Sequence, residues 1–441
     1  MERRHLLLAG GAGVVASALA ACGGGSESAA DATESLAQPL AVRQPAVSVA
    51  AAATPIGKVL VLGGGMAGAS VAKYLRLWGN VDVTLVERNS AYTSNIMSSL
   101  VLTGQRTITS LKYTYDTLRT KYGVKTVFDG VVAIDPIGVS VRLKSGAVLT
   151  ADRIVLAPGI DFDAVPGLDN PDLMPHAWKA GPQTTLLAQQ LAAMPAGGVV
   201  VMTIPKTPYR CPPGPYERAC LLADWLKLRK PGSKLIVLDA NPDFVTDVDN
   251  FSQAFYGLHA NVIDYRTNVE ISSVDTATRT VFTSGGAVKG HVVNLIPRQR
   301  AGALVSMAGL NNSADGRFAA VDVLSYARTA AARVHVIGDA SATTQPKAGH
   351  IANQEAKVCA DALVRLFGGG PPDPAPVTNS ACYSTITMTK ASWLTAVFQY
   401  DPASRVMVPV ASSSAASVGW NSDSFSEMGT WFKALMADTY A

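Results

Sequence analysis

The feature that most constrains this chain is an apolar run followed at once by three spaced glycines. The segment Lys58–Leu62 leads directly into the letters GGGMAG, and apolar residues then recur at helical spacing. In the order strand, turn, helix, the pattern G-x-G-x-x-G predicts a dinucleotide-binding βαβ unit. Gly63 permits the tight turn, Gly65 lets a pyrophosphate approach the backbone, and Gly68 lets helix and strand pack closely.

A second strand-like run strengthens this prediction. The segment Val81–Val86 is apolar on alternate residues and ends at Glu87. In dinucleotide-binding units an acidic residue about 20 residues beyond the glycine motif binds the adenosine ribose hydroxyls. The glycine pattern alone is common, whereas two strands and the acid together specify the unit.

Two later segments favour FAD over NAD as the dinucleotide. The segment Ile154–Gly159 resembles the strand and glycine that close the first FAD-binding section of two-dinucleotide flavoproteins. The segment Val334–Ala340 resembles their late strand-Gly-Asp section, in which the aspartate, here Asp339, binds the ribityl and pyrophosphate region. A helix cap is the plain structural alternative for Asp339.

These segments predict an α/β fold with a discontinuous cofactor domain. We expect two Rossmann-like three-layer domains of the glutathione-reductase type, plus a small C-terminal α+β domain. The FAD-binding domain would comprise 58–160 and 288–370, with 161–287 inserted as an NAD-like domain and 371–441 as the C-terminal domain. A hydrophobic content of 48% with 16% charged residues is typical of a globular protein, and the net charge of +4 does not indicate a nucleic-acid partner.

The inserted domain lacks the signature of a nicotinamide site. Its apolar strand, Val199–Ile204, is followed within a few residues by TPYRCPPGPYERAC, residues 207–220, where prolines stand in place of glycines. Proline has no N–H with which to bind a pyrophosphate. We therefore predict that the flavin receives its electrons from a donor other than NAD(P)H.

The first residues predict export rather than folded structure. Arg3 and Arg4 precede an apolar run and resemble a twin-arginine signal, and the letters LAAC ending at Cys22 resemble a lipobox in which this cysteine would be acylated. A membrane anchor helix is the alternative, which glycines within the run disfavour. Residues 1–22 are thus predicted to be an export signal and 23–57 a flexible linker. The mature protein would be periplasmic, where disulfides persist.

The four remaining cysteines fall into two groups, two predicted core residues and two residues outside the core. Cys220 and Cys359 lie on apolar helical stripes and are predicted to be core residues. Cys211 precedes a predicted helix N-terminus, where the dipole favours a thiolate, and Cys382 lies outside any helical stripe. Two non-core cysteines of an exported protein are candidates for one disulfide. A disulfide between Cys211 and Cys220 is also possible, and either disulfide could be purely structural. Glu217 could be an acid/base or simply a stabiliser of the first turn of its helix.

Five segments resemble the flavoprotein chain of flavocytochrome c sulfide dehydrogenase. They read TPYRCPPGPYERA, NLIPRQRAG, HVIGDA, PKAGHIANQEAKVCA and CYS, and the likeness is collinear from about Lys58 onward. The resemblance implies FAD beside a redox-active disulfide of Cys211 and Cys382, with Glu217 as the acid/base. It also implies that Gly349 opens a helix near the flavin, with Lys347 close by. Because the chain has no Cys-x-x-Cys-His haem motif, the electron acceptor would be a separate c-type cytochrome subunit.

One departure from the family concerns the attachment of the flavin. The family's FAD is often bound covalently through a cysteine shortly after the acid of the second strand, where this chain has Ser94 and Asn95. We therefore predict non-covalent FAD, and no metal site. The residues predicted to contact FAD are Gly63, Gly65, Met66, Ala67, Gly68, Glu87, Arg88, Asn95, Val132, Ala157, Gly159, Gly338, Asp339, Lys347 and Gly349.

The predicted activity is oxidation of sulfide or a related small sulfur compound, with electrons passing through FAD to the cytochrome. Hydrosulfide is a soft nucleophile that can attack a disulfide. One alternative is a sulfide:quinone oxidoreductase, which would need a membrane-binding C-terminus, although the amphipathic segment Trp431–Met436 is short. A second alternative is a non-catalytic flavin-binding assembly protein whose cysteines only staple its domains.

Overall fold

The computed structural model describes residues 54–328 and 331–441. The predicted export signal, Cys22 and residues 23–53 of the predicted linker lie outside these ranges. The first section of the described chain carries most of one parallel sheet and two small antiparallel ones. Its strands are β1 (Lys58–Leu62), β2 (Asp82–Glu87), β3 (Ala91–Thr93), β4 (Lys112–Thr114), β5 (Lys125–Phe128), β6 (Val131–Asp135), β7 (Ser140–Leu143), β8 (Val148–Thr150), β9 (Arg153–Leu156) and β10 (Ile160–Phe162). Its helices are α1 (Met66–Gly79), α2 (Ser99–Leu102) and α3 (Asp116–Thr120).

The next section carries a second parallel sheet. Its elements are α4 (Pro182–Ala193), β11 (Val199–Ile204), α5 (Gly214–Arg229), β12 (Lys234–Asp239), α6 (Val248–Gln253), β13 (Ile263–Arg266), β14 (Ile271–Asp275), β15 (Thr280–Thr283), β16 (Gly286–Lys289) and β17 (Val292–Asn294). The strand order β13-β12-β11-β17 is parallel throughout, while β14, β15 and β16 form an antiparallel sheet beside it. The strand–helix–strand unit β11-α5-β12 therefore repeats the arrangement of β1-α1-β2.

The third section returns to the first sheet. Its elements are β18 (Gln299–Ala301), α7 (Ala303–Met307), β19 (Ala319–Ala320), β20 (Ala327–Arg328), β21 (Ala331–Val336), β22 (Ser341–Ala342) and α8 (Gly349–Phe367). Strand β21 pairs in parallel with β9, which completes the order β20-β21-β9-β1-β2-β5. The sheet is thus built from two distant parts of the chain, because the second parallel sheet lies between them in sequence.

The strand β1 explains the three-layer packing of the first sheet. Val59 and Val61 pack with residues of α1 and α8 on one face, whereas Leu60 and Leu62 pack in a separate cluster on the other face. All four side chains are buried. A strand with apolar residues on both faces is typical of a parallel sheet that is covered on both sides. The predicted α/β class, with two Rossmann-like domains, is confirmed.

The last section forms an antiparallel sheet and a long helix. Its elements are β23 (Val377–Thr385), β24 (Ala391–Asp401), β25 (Val406–Pro409), β26 (Ala415–Ala416) and α9 (Ser422–Tyr440). Helix α9 packs on α1, where Lys73 Nζ donates to the carbonyl of Asp438 over 2.9 Å and Lys357 forms an ion pair with the Asp438 carboxylate. This section therefore lies against the predicted cofactor domain.

Candidate functional site

The glycine turn after β1 has the shape that a pyrophosphate requires. Gly63 has φ = 105°, in the region that favours glycine, and a Cβ added to it would lie 2.5 Å from the carbonyl oxygen of Ala157. A Cβ on Gly68 would lie only 1.8 Å from the carbonyl oxygen of Gly63, so helix α1 approaches the turn too closely for any side chain. The hydroxyls of Tyr115 and Tyr440 donate to the carbonyl of Gly64 over 3.1 and 3.0 Å and hold the turn in place.

Glu87 lies at the end of β2, beside this turn. Its Oε2 accepts a hydrogen bond from the backbone N–H of Gly64 over 2.8 Å. Its Oε1 accepts from the backbone N–H and the side-chain amide of Asn89, each over 3.0 Å. The carboxylate is half-buried and faces the same cavity as the glycine turn, which is the position of a ribose-binding acid.

Asp339 follows β21 and also lines the cavity. Its side chain is buried, and its Oδ1 has no hydrogen-bond partner among the described residues. Its Oδ2 lies 3.9 Å from Nη1 of Arg210. Burial raises the pKa of Asp339, while Arg210 and Lys347 act in the opposite direction. An unpaired buried acceptor of this kind fits a ligand hydroxyl group.

A cavity of about 1170 Å³ connects these groups. Binding sites for drug-sized ligands have volumes of about 300–1,000 Å³, so this cavity can hold a molecule as large as FAD. Its lining includes fifteen of the predicted site residues: Gly63, Gly65, Met66, Ala67, Glu87, Arg88, Asn95, Ala157, Gly159, Cys211, Glu217, Gly338, Asp339, Gly349 and Cys382. The glycine turn, the acid and the unpaired aspartate therefore fit FAD.

Three predicted cofactor residues do not line the cavity. Gly68 acts from behind the turn, through the close packing of α1. Val132 is 47% exposed, and Val131 lines the cavity in its place, because the pairing of β6 with β7 shifts by one residue at this point. Lys347 turns away: its buried Nζ donates to the carbonyl of Ser341 and lies 3.9 Å from the centre of the Phe318 ring.

Cys211 and Cys382 meet in the same cavity. Cys211 lies in the turn before α5, Cys382 lies on β23, and both are free thiols that line the cavity. Interaction with the nearby Cys211 thiol, together with burial, raises the pKa of the Cys382 thiol well above its usual range. The fold thus brings together two cysteines that are distant in sequence, and it leaves the cysteine of α5 itself, Cys220, fully buried.

The backbone around Cys211 is specialised for this contact. Cys211 has φ = 61°, an unusual conformation for a residue with a side chain, and its N–H donates to the carbonyl of Lys347 over 2.6 Å. A Cβ added to Gly214 would lie 2.8 Å from the Cys211 sulfur and 3.0 Å from the Trp178 ring. The first residue of α5 therefore has to be small, so that the sulfur can lie against the end of the helix.

Glu217 is in the first turn of α5 and lines the same cavity as the two thiols. Its Oε1 accepts a hydrogen bond from the hydroxyl of Thr385 on β23 over 3.0 Å. Burial raises the pKa of Glu217 to about 7, and bonds from the side chain and backbone of Thr385 partly oppose this rise. A carboxyl group with a pKa near neutrality can give and take protons under physiological conditions.

The second βαβ unit has no comparable opening at its acid. Asp239, at the end of β12, is completely buried. Its carboxylate accepts hydrogen bonds from the hydroxyls of Tyr216 and Tyr265, over 2.9 and 2.8 Å, and from the backbone and side chain of Asn241. The position that would bind a nicotinamide cofactor's ribose is filled by aromatic side chains of the protein itself.

Asn95, which stands where the family often has its flavin-attaching cysteine, makes a specific contact of its own. Its Oδ1 accepts a hydrogen bond from the backbone N–H of Ala180 over 2.7 Å. Ala180 belongs to the segment that leads into α4 and also lines the cavity. The side chain thus ties one wall of the cavity to another, while Ser94 is fully buried beneath it.

Several residues at or beside the site were not predicted from the sequence. Arg210 pairs with Asp339, Trp178 lines the cavity with its buried Nε1 unpaired among the described residues, Thr385 bonds to Glu217, and Val131 replaces Val132. Arg210 directly precedes Cys211 and could have been suspected for that reason. The others carry no local signal, because each acts through a segment that is remote in sequence.

Family comparisons agree with this geometry. Residues 184–297 match the family model described as the central part of the sulfide dehydrogenase (flavocytochrome c) flavoprotein chain, and 374–440 match the flavin-binding part of flavocytochrome c sulphide dehydrogenase. Residues 57–191 match the pyridine nucleotide-disulphide oxidoreductase family. Together these three models span most of the described chain.

Solved structures with a similar fold include several oxidoreductases. The sulfide:quinone oxidoreductase of the hyperthermophilic bacterium Aquifex aeolicus has a TM-score of 0.70 at 18% identity, over 87% of this chain and 91% of that one. The NAD-dependent persulfide reductase of A. fulgidus has 0.60 at 14%, over 86% and 77%. A ferredoxin reductase of Rhodopseudomonas palustris has 0.58 at 18%, over 78% and 88%. At these identities the likeness concerns the fold alone.

Proposed function

Because the chain belongs to the family of flavocytochrome c sulfide dehydrogenase flavoprotein chains, we propose that it oxidises sulfide through a disulfide of Cys211 and Cys382. Family membership makes it an FAD-dependent oxidoreductase that acts on sulfur compounds. Our proposal adds three points: the reactive disulfide, sulfide as the substrate and a c-type cytochrome as the electron acceptor. The observation that carries the proposal is that the free thiols of Cys211 and Cys382 line the same cavity as the glycine turn.

The sulfur chemistry follows from the positions of three side chains. In the oxidised protein, hydrosulfide forms a bond to the Cys211 sulfur, and the bond between Cys211 and Cys382 breaks. Cys211 becomes a persulfide, and the sulfur of Cys382 leaves with the electron pair of the broken bond. Since the pKa of Cys382 is well above its usual range, this sulfur takes a proton, for which Glu217 is the donor that we propose.

The residues around the cavity would hold the cofactor. The glycine turn and helix α1 would bind the pyrophosphate, Glu87 the ribose, and Asp339 a hydroxyl of the ribityl chain. When bound, FAD would supply a two-electron acceptor that can also pass electrons on singly. We expect the binding to be non-covalent, since Asn95 offers no sulfur for attachment.

Anaerobic titration with sulfide, followed through the flavin absorbance, tests the disulfide. We expect sulfide to bleach the flavin of the native protein and to leave that of Cys211→Ser and Cys382→Ser largely oxidised. Cys220→Ala is the matched control, since its thiol lies on the same helix as Glu217 but is buried away from the cavity. Equal bleaching in the native protein and in both serine variants would exclude the disulfide mechanism.

The acceptor can be tested in the same preparation. We expect the sulfide-reduced protein to reduce a soluble c-type cytochrome faster than a short-chain ubiquinone. Within the described ranges, no helix is long and apolar enough to cross a lipid bilayer. Faster reduction of the quinone would replace the cytochrome with a quinone as the acceptor and leave the cysteine chemistry unchanged.

We also propose that the protein is exported to the periplasm and acylated at Cys22. The paired Arg3 and Arg4, the apolar run and the lipobox letters support this proposal. Cell fractionation of the native protein and of Cys22→Ala tests it. We expect the native protein to sediment with membranes and the variant to be released with the soluble periplasmic fraction.

A further inference from the structure

Strand β23 carries one residue that lines the cavity and one that binds a residue of its lining. Cys382 is the first, and Thr385, three residues later, is the second, through its hydrogen bond to Glu217. The two α-carbons of such a pair are about 10 Å apart in an extended strand. Thr385 is completely buried, and its hydroxyl is the side-chain donor to the carboxyl of Glu217. One rigid element thus places both a sulfur and the partner of the acid.

We propose that Thr385 is a positioning residue that holds the carboxyl of Glu217 beside the Cys211 and Cys382 sulfurs. This inference rests on the proposed function, because it assigns a part to Thr385 through Glu217. Thr385 itself does not line the cavity, whereas Glu217 and both cysteines do. Its action is therefore to fix and stabilise the carboxylate, and not to contact the substrate.

The electrostatic surroundings leave Thr385 as the main group that opposes the effect of burial on Glu217. On its own helix Glu217 faces Arg218 and Cys220, and on β23 it faces Cys382. Arg218 also lowers the pKa of Glu217, but less than either bond from Thr385 does. The guanidinium of Arg218 is also engaged elsewhere, since it donates to Asn294 Oδ1 over 3.0 Å.

Other charged groups lie near the thiols rather than near the carboxyl. Besides burial, the carboxylates of Glu217, Asp224 and Asp247 raise the pKa of the Cys220 thiol. Asp247 also raises the pKa of the Cys382 thiol. Asp247 is bound by the hydroxyl of Ser392, and Asp224 by the N–H of Met388. A change at Thr385 would therefore act first on Glu217.

Thr385→Val tests the role of the hydroxyl, because valine keeps the shape of the side chain and removes its donor. A hydrogen bond to a carboxylate favours the charged form, so its loss raises the pKa of Glu217 further above its usual range. If protonated Glu217 supplies the proton, the rate of flavin bleaching by sulfide falls as the pH rises through this pKa. We expect the fall to move upward by about one pH unit in Thr385→Val.

Two variants bracket this result. Thr385→Ser keeps the donor, and we expect it to restore the native pH profile. Ser384→Ala is the matched control, since it removes a buried hydroxyl of the same strand that has no partner among the described residues. The ionisation of hydrogen sulfide in solution is the same for all variants, so differences between their profiles report on the protein. An unchanged profile in Thr385→Val would overturn the proposal.

A measurement without turnover separates this inference from the proposed function. Unfolding free energies of the native protein, Thr385→Val, Glu217→Gln and the double variant form a cycle. We expect a coupling between the two sites that is larger at about pH 9, where Glu217 is charged, than at about pH 5. Failure of sulfide to bleach the native flavin would contradict the proposed function, whereas the absence of coupling would contradict the positioning of Glu217 by Thr385.

Discussion

The two βαβ units of this protein share a topology but differ at every point where a ligand could bind. After β1 the chain makes a glycine turn that faces a cavity, whereas after β11 it makes a proline-rich turn in which Cys211 adopts φ = 61°. Glu87 at the end of β2 faces the cavity, whereas Asp239 at the end of β12 is buried and bonded to tyrosines. The first unit has kept a dinucleotide site, and the turn of the second now presents a thiol.

The comparison shows that a βαβ unit determines where a ligand-binding or reactive group lies, but not which chemical group it is. The turn between a strand and its following helix lies at the sheet's carboxyl edge, where ligands bind in parallel α/β folds. Glycine at this turn exposes backbone N–H groups to phosphate. Proline removes them and fixes the path of the chain, so a side chain becomes the reactive group.

The largest expected effect is at Gly68 in the first unit. Gly68→Ala places a methyl group 1.8 Å from the carbonyl oxygen of Gly63, so the turn has to move. We expect this overpacking to destabilise the folded turn by about 3 kcal/mol and to lower the affinity for FAD roughly 100-fold. Flavin content after gel filtration measures it. Gly429→Ala, in α9 with open space around it, is the control and should keep the flavin; retention of FAD by Gly68→Ala would contradict the assigned role of this turn.

A smaller effect is expected at the corresponding place in the second unit. Gly214→Ala pushes a methyl group to 2.8 Å from the Cys211 sulfur, which then has to rotate away from Cys382. We expect FAD to stay bound, while the flavin is bleached by sulfide at least roughly tenfold more slowly. Stopped-flow absorbance measures the rate. Loss of FAD from this variant would mean that the two turns are not separate in function.

The buried carboxylate of Asp239 in the second unit should contribute to stability and not to cofactor binding. Tyr265→Phe removes one of the hydroxyls that bind the buried carboxylate of Asp239. We expect the free energy of unfolding to fall by about 1–2 kcal/mol. Urea denaturation measures this change. Tyr256→Phe, whose parent side chain is 64% exposed, is the control and should leave stability nearly unchanged.

The smallest effect is expected from NADH. Prolines after β11 and the filled position around Asp239 leave no donor set for a second dinucleotide in the described chain. We expect NADH to reduce the bound flavin no faster under anaerobic conditions than a blank addition of buffer. Rapid bleaching by NADH would break the comparison, since the second unit would then have kept its original ligand.

The features that the sequence predicted correctly are those with a local physical cause. The fold class followed from apolar strands and the glycine turn, and the cofactor from segments that each lie within one strand and turn. The buried positions of Cys220 and Cys359 followed from helical periodicity, because a stripe identifies the buried face of a helix.

The remaining features depend on contacts between distant segments. The bond of Thr385 to Glu217 and the approach of Arg210 to Asp339 form only when separate parts of the chain dock. Val131 lines the cavity and Val132 is exposed at a register shift between β6 and β7, which the sequence does not reveal. Which side chains become partners is decided when these segments dock, and no regular spacing in the sequence indicates it.

The hydroxyl of Tyr440 on the carbonyl of Gly64 has a consequence for biosynthesis. A ribosome adds about 5–20 residues per second, so roughly 20–70 seconds separate the emergence of the glycine turn from that of Tyr440. During this interval the turn exists without one of its two supporting hydroxyls, and the cavity lacks the strand that carries Cys382. We therefore expect FAD to be bound stably only after the last helix has been synthesised and has docked on the glycine turn.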